Sequence, residues 1–213
     1  MSAEKCVNLY FVRHGQTKWN SEGILQGTTD IPLNPMGRYQ ADMRGRSLQH
    51  INFAHAYSSP LLRTLETASR IYANRHDKIV SISGLKERGY GEFEGKDYQL
   101  SKEARHAFLN SAQTPEDNPH GIETDKELEE RLIPLLKHIA TAHLSESLVG
   151  KPVNDLFVTH SGVMRFLLNH FGFMNYKKLE HYKIEETACM RVKFDGKSFN
   201  VMYIEGLTPR NGK

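Results

Sequence analysis

The sequence predicts a single α/β domain, and three observations carry that expectation. Apolar runs rich in β-branched and aromatic residues recur around 8–12, 54–58, 79–82 and 155–159, separated by stretches with helical patterning. The chain has 213 residues, long for one small domain and short for two. Its composition, 38% hydrophobic and 25% charged, is ordinary for a globular protein with one core.

The same composition excludes several functions. The formal net charge is +3 and the basic residues are scattered, so there is no case for nucleic acid; acidic small molecules are favoured instead. Cys6 and Cys189 provide neither a disulfide framework nor a close metal-ligating pair. Residues 1–5 lack the apolar core of a signal peptide, and no apolar run is long enough for a bilayer. The expected setting is cytoplasmic and reduced, with no membrane partner.

Taken in order, residues 8–12 read as a buried strand that stops at Arg13-His14-Gly15. In open α/β sheets ligands bind at such strand ends. Residues 20–30 are polar and rich in Gly and Thr, an ordered loop over the mouth of a site. Asn34-Pro35 has the form of an N-cap followed by proline, starting a helix whose apolar face holds Tyr39, Ala41, Met43, Leu48 and Ile51. Gly37 and Gly45 weaken that helix, and His50 and His55 are expected at the surface or half-buried. Ser59-Pro60 repeats the cap signal after the strand at 54–58. The helix that follows would align Leu61, Leu62, Leu65, Ala68, Ile71 and Tyr72, and it carries Arg63 in its first turn. A cation there opposes the helix dipole unless an anion lies between them; otherwise Arg63 is exposed and pairs with Glu66.

Residues 79–82 are a third strand leading into the segment 85–95. Its carboxylates Glu87, Glu92 and Glu94 lie among glycines and aromatics, and burial would raise the pKa of any of them. Such an acid could protonate a leaving group; Glu87 is nearest the strand end, and spacing leaves Glu92 and Glu94 open as rivals. Residues 97–121 form a polar excursion, a cap of modest size with a helical piece near 104–109 and turn chemistry at 114–119. Thr124 and Glu127 form a capping box for a helix to residue 143, which Pro134 should kink or divide. His138 and His143 are expected at its surface. A strand from Asp155 then ends at Thr159-His160-Ser161-Gly162 and feeds a helix over 163–173, whose N-terminus suits an anion. Residues 187–194 and 198–204 read as a closing hairpin, and residues 208–213 as a frayed tail.

Two strand-terminal histidines, two arginines, an acid and helix N-termini suit a multiply charged oxyanion. Phosphoryl transfer needs positive groups on the equatorial oxygens, an in-line nucleophile and an acid for the leaving oxygen. Zinc would draw three or four ligands and would be repelled by the arginines beside each histidine. No Gly-x-Ser-x-Gly elbow marks a serine hydrolase.

From Leu9 to about Ile204 the chain resembles the histidine phosphatase superfamily, also called phosphoglycerate-mutase-like. The resemblance rests on Arg13-His14-Gly15-Gln16-Thr17 with Asn20, Gln26-Gly27, Asp30, the run 58–64, the segment 87–95, the run 121–124, and Thr159-His160-Ser161-Gly162. It implies a three-layer α/β/α sandwich around a mostly parallel sheet, with residues 97–121 as a small cap and residues 1–213 as one domain. It implies His14 as the nucleophile that becomes phosphohistidine. Arg13, Arg63 and His160 would cradle the phosphoryl group, and Glu87 would donate the proton. Asn20, Gln26, Gly27 and Thr28 would add hydrogen bonds to phosphate or substrate. Ser161 stands where many members have Gly, and its hydroxyl could crowd the phosphate or bond to it. The segment 85–96 looks like the fructose-2,6-bisphosphatase-like and broad-specificity phosphatase branches. The expectation is a phosphatase of small phosphorylated metabolites, sugar phosphates first, needing neither metal nor other cofactor. A phosphoglycerate-type mutase, or a scaffold protein that binds phosphate with little turnover, is the alternative.

Overall fold

Seven consecutive buried residues form β1 (Val7–Arg13), as expected of a strand covered on both faces. The computed structural model describes residues 5–73, 78–97, 118 and 120–210. β1 pairs in parallel with β4 (Val153–Thr159), Val7 facing Val153 and Arg13 facing Thr159. β2 (His55–Ser58) lies beyond β4, and β3 (Ile79–Ser81) beyond β2, both parallel to their neighbours. On the other side of β1, β5 (Tyr182–Phe194) and β6 (Phe199–Pro209) add an antiparallel pair. The order β3-β2-β4-β1-β5-β6 is a mixed, open and mostly parallel sheet.

Alternation along the strands builds three layers. Leu9 and Phe11 of β1, with Phe157 of β4, join α4 (Asp125–Leu144) and α5 (Ser161–His170) in one core. Tyr10 and Val12, with Leu156 and Val158, pack on the other face beneath α3 (Leu62–Ile71) and the end of α2 (Pro35–Ser47). Leu128, Leu132 and Leu136 on α4 are fully buried, each contributing roughly 1.5–3 kcal/mol of transfer free energy. Among the described residues no helix is long and apolar enough to cross a membrane.

Several local expectations need correction. Asn34 caps α2 as read, its side chain accepting from the Gly37 N–H at 2.8 Å. Yet Tyr39 and Met43 are exposed, and the buried positions are Gly37 and Ala41. The glycines that cost helix propensity are contact points: a Cβ on Gly37 would lie 2.0 Å from the Gln16 carbonyl oxygen. α3 starts at Leu62 without a side-chain cap. Asp30, from the preceding loop, accepts the Leu62 N–H at 2.8 Å instead, and Leu62 itself is exposed. The buried face of α3 is Arg63, Thr64, Thr67 and Ala68, more polar than apolar periodicity suggested.

The Thr124–Glu127 capping box is present, but Pro134 does not divide α4. Pro134 and Glu130 are both exposed, so the carbonyl that proline deprives of a partner can bond to water. His143 is buried against Asp155, not at the surface, because the end of α4 lies over the start of β4. The hairpin is longer than expected: Lys183 pairs with Thr208 and Tyr182 with Pro209, so Thr208 and Pro209 belong to β6 and not to a tail. The helical piece at 104–109 and most of the turn at 114–119 lie outside the described residues.

Candidate active site

β1 and β4 end together, and the His14 N–H donates to the Thr159 carbonyl at 3.0 Å. His14 and His160 therefore leave the sheet side by side, ring centroids 5.2 Å apart. His14 is 3% exposed, and its Nδ1 lies 2.7 Å from the Gly15 carbonyl oxygen. That acceptor keeps the ring proton on Nδ1 and leaves a lone pair on Nε2. Burial, then the charges of Arg63 and Arg13, hold the His14 pKa well below the ordinary 6.5, against the opposing Gly15 bond. A neutral imidazole with one committed nitrogen is a nucleophile at neutral pH.

Arg13 is tethered by its tips, to the Ile184 carbonyl at 2.5 Å and to the Glu186 carboxylate at 3.1 Å. Its buried Nε has no acceptor among the described residues, which leaves a charged donor for an oxyanion. Arg63 is fully buried, not exposed, and does not pair with Glu66, which takes Arg38. Its tips donate to the carbonyls of Gly27 and Thr29 at 2.6 and 2.7 Å. Burial pushes its pKa down to about 10, with Glu87, Asp30 and Glu94 opposing, so it stays charged near neutrality.

His160 is fully buried between Arg63 and Ser59. Its Nδ1 accepts from Arg63 Nε at 3.3 Å, and Nε2 lies 2.9 Å from the Ser59 hydroxyl. Burial, then Arg63, lowers its pKa well below 6.5. Both imidazoles are thus neutral near pH 7. The positive charge comes from Arg13 and Arg63.

Glu87 lies within the same cavity, anchored on the N-terminus of α5. Its Oε1 accepts from the N–H groups of Arg88 and Val163, and Oε2 from Gly162 at 3.1 Å. The approach depends on the missing side chain of Gly162, whose Cβ would lie 2.5 Å from Oε1. Neither rival acid lines the cavity. Exposed Glu92 pairs with His120. Glu94 clamps the loop that follows α1 (Lys18–Glu22), accepting from the N–H groups of Thr28, Thr29 and Tyr90. Burial would raise its pKa as expected, but those bonds outweigh burial and lower it. Gly27 fits beneath this clamp with φ +54°, where a Cβ would lie 2.0 Å from Glu94.

Asn20, Gln26, Gly27 and Ser161 line the cavity, whereas Thr28 is exposed with its N–H and hydroxyl given to Glu94. Asn20 spends its oxygen on the Thr17 capping box and Gln26 accepts from the Thr17 hydroxyl, so both are held by the same residue. The cavity measures about 440 Å³, room for a small metabolite. Sequence reasoning missed Tyr90, Arg165, Lys183, Glu186 and Arg210, which also line it. No local motif marks them; β5 and the residue after β6 bring two of the cations to the cavity from the end of the chain. The lining thus holds Arg13, Arg63, Arg165, Lys183 and Arg210 against the carboxylates of Glu87 and Glu186. That surplus suits an anion.

The model of the histidine phosphatase superfamily (branch 1) matches residues 9–205. A putative phosphoserine phosphatase 2 of Hydrogenobacter thermophilus is 28% identical over 93% of this chain and 95% of its own length. A 2,3-bisphosphoglycerate-dependent phosphoglycerate mutase 2 of Gloeobacter violaceus is 30% identical over 88% of this chain and 84% of its own. Fructose-2,6-bisphosphatase TIGAR of Xenopus tropicalis is 37% identical, over 65% of this chain but only 52% of the frog protein. Among solved structures, Bacillus stearothermophilus YhfR superposes with TM-score 0.78 and 29% identity, covering 94% of this chain and 96% of that one. With the match running from β1 into β6, the chain belongs to branch 1 of the histidine phosphatase superfamily and is an enzyme of its phosphatase class.

Proposed function

We propose that the chain hydrolyses small phosphorylated metabolites through a phosphohistidine formed on His14. The observation that carries this reading is the fixed tautomer of His14: Nδ1 is engaged by the Gly15 carbonyl, beside two buried guanidinium groups and a carboxyl group. In the first step Nε2 attacks phosphorus and the bond to the leaving oxygen breaks. Arg13 and Arg63 stabilise the charge spreading over the equatorial oxygens. Glu87 gives a proton to the leaving oxygen; its Oε2 accepts one protein bond against two at Oε1, which leaves more room for that proton there. In the second step Glu87 takes a proton from water, which attacks the phosphohistidine and restores His14. His160, Asn20, Gln26 and Gly27 complete the phosphoryl cradle, with Ser161 at the start of α5 adding a hydroxyl; Thr28 acts only by holding the loop.

Sugar phosphates remain the leading substrate class. The cations Arg165, Lys183 and Arg210 favour members with a second anionic group, a carboxylate or another phosphate. The test is phosphate release from such a panel with EDTA present, wild type beside His14→Ala. Release by wild type alone, with an acid-labile phosphoenzyme, is the expected result; release by both would refute the His14 mechanism.

A mutase is the second reading, favoured by the Gloeobacter relative. It predicts phosphate transfer between hydroxyls only after priming with a bisphosphorylated compound, and little release without it.

A further inference from the structure

At the opposite end of the same strands, three metal-ligating side chains converge. His55 opens β2 and stands opposite Asp155 of β4, while His143 comes from the last turn of α4. The two imidazole rings stack, centroids 3.8 Å apart and 16° from parallel. His55 Nδ1 lies 2.9 Å from Asp155 Oδ1, and His143 Nδ1 lies 2.7 Å from Oδ2. One ligand atom from each residue lies within 4.8 Å of the other two.

The far nitrogens have partners as well. His143 Nε2 is 3.3 Å from the Tyr57 hydroxyl, and His55 Nε2 is 3.7 Å from a Glu146 carboxylate oxygen. The Tyr57 hydroxyl can either donate or accept. A metal-bound imidazole characteristically gives its second N–H to such an outer acceptor. Asp155 is fully buried, whereas the His55 side chain is one-third exposed and opens the cluster to solvent.

We propose that His55, His143 and Asp155 bind one divalent transition-metal ion of the Zn²⁺ type, remote from the phosphoryl cavity. Two imidazole nitrogens and one carboxylate favour such an ion over Mg²⁺ or Ca²⁺, which take oxygen ligands. To bind it, each ring presents the Nδ1 lone pair and carries its proton on Nε2, where Glu146 and Tyr57 accept it. Water supplies the remaining position on the exposed side of His55. The ion ties the end of α4 to two adjacent parallel strands, so its effect is on stability and not on the chemistry at His14.

The experiment uses tag-free full-length protein stripped with a chelator and then titrated with Zn²⁺. Calorimetry gives affinity, elemental analysis gives stoichiometry, and melts are recorded with and without the ion. One ion per chain is expected, with a Tm that rises with Zn²⁺ concentration. His55→Ala, at a partly exposed position, should lose both effects, and Tyr57→Phe should weaken binding by about tenfold. Absence of binding by wild type, or equal binding by His55→Ala, would overturn the proposal and leave the cluster as a hydrogen-bonded brace.

Discussion

Two histidine pairs stand at opposite ends of one sheet, and their surroundings differ in sign. His14 and His160 sit at the C-terminal ends of β1 and β4, 5.2 Å apart, between the guanidinium groups of Arg13 and Arg63. His55 and His143 sit at the N-terminal end of β2 and β4, stacked at 3.8 Å on the carboxylate of Asp155. Arginines beside a buried imidazole oppose a second positive charge, keep the ring neutral and welcome an anion. A carboxylate shared by two imidazoles suits a cation instead. The residue type is the same at both ends; the neighbouring charge decides what it can do.

The sharpest way to break this contrast is to remove the proposed nucleophile. His14→Ala should lower kcat by about 10⁴-fold or more and eliminate the phosphoenzyme, while circular dichroism stays unchanged. The next largest effects concern the charges that define the anion-binding end. Arg63→Lys keeps a charge but cannot reach the carbonyls of Gly27 and Thr29 together, so kcat/KM should fall roughly 10²- to 10³-fold in steady-state assays. Glu87→Gln can keep the bonds from the Arg88 and Val163 N–H groups through its one oxygen, loses the bond from Gly162, and cannot donate as an acid. It should slow alkyl phosphates by roughly 10²-fold or more and leave activated aryl phosphates nearly unaffected. If Glu94→Gln showed that selectivity instead, the acid would be misassigned.

Smaller effects concern pH. In the folded protein His14 and His160 titrate well below 6.5, so as pH falls below 6.5 the unfolded chain takes up protons that the native state refuses. Stability should therefore be full above that pH and decline as the solution becomes more acidic. Denaturant titrations at pH 5 and pH 7 should show the loss, and His160→Asn should reduce it. The smallest effect is at the cavity mouth. Lys183→Ala should raise KM two- to five-fold for substrates with a second anionic group and leave phosphate monoesters without one unchanged, as the removal of a half-exposed charge allows.

Much of the anion-binding end was legible because its signals are local. A strand that stops at Arg13-His14-Gly15, another that stops at His160, and a first-turn Arg63 can each be recognised within a few residues. The buried polar face of α3 was not legible, because Arg63 and Thr67 bond to distant backbone groups; Gly15, for one, donates to the Thr67 hydroxyl at 3.0 Å. For the same reason the glycines of α2 read as defects, although Gly37 is where the Gln16 backbone comes closest.

By itself, the sequence determined the strand and helix starts that rest on neighbours: the Asn34 and Thr124 caps, the apolar runs of β1 and β4, and the motifs that mark the family. Tertiary structure alone decided which carboxylate enters the cavity, that Lys183 and Arg210 join it, and that His143 meets His55. These outcomes depend on strand order and register between segments far apart in the chain, where a slip of one residue would turn every side chain to the other face. No periodicity within a window records that pairing; it is set by the packing of the whole sheet against its two helical layers.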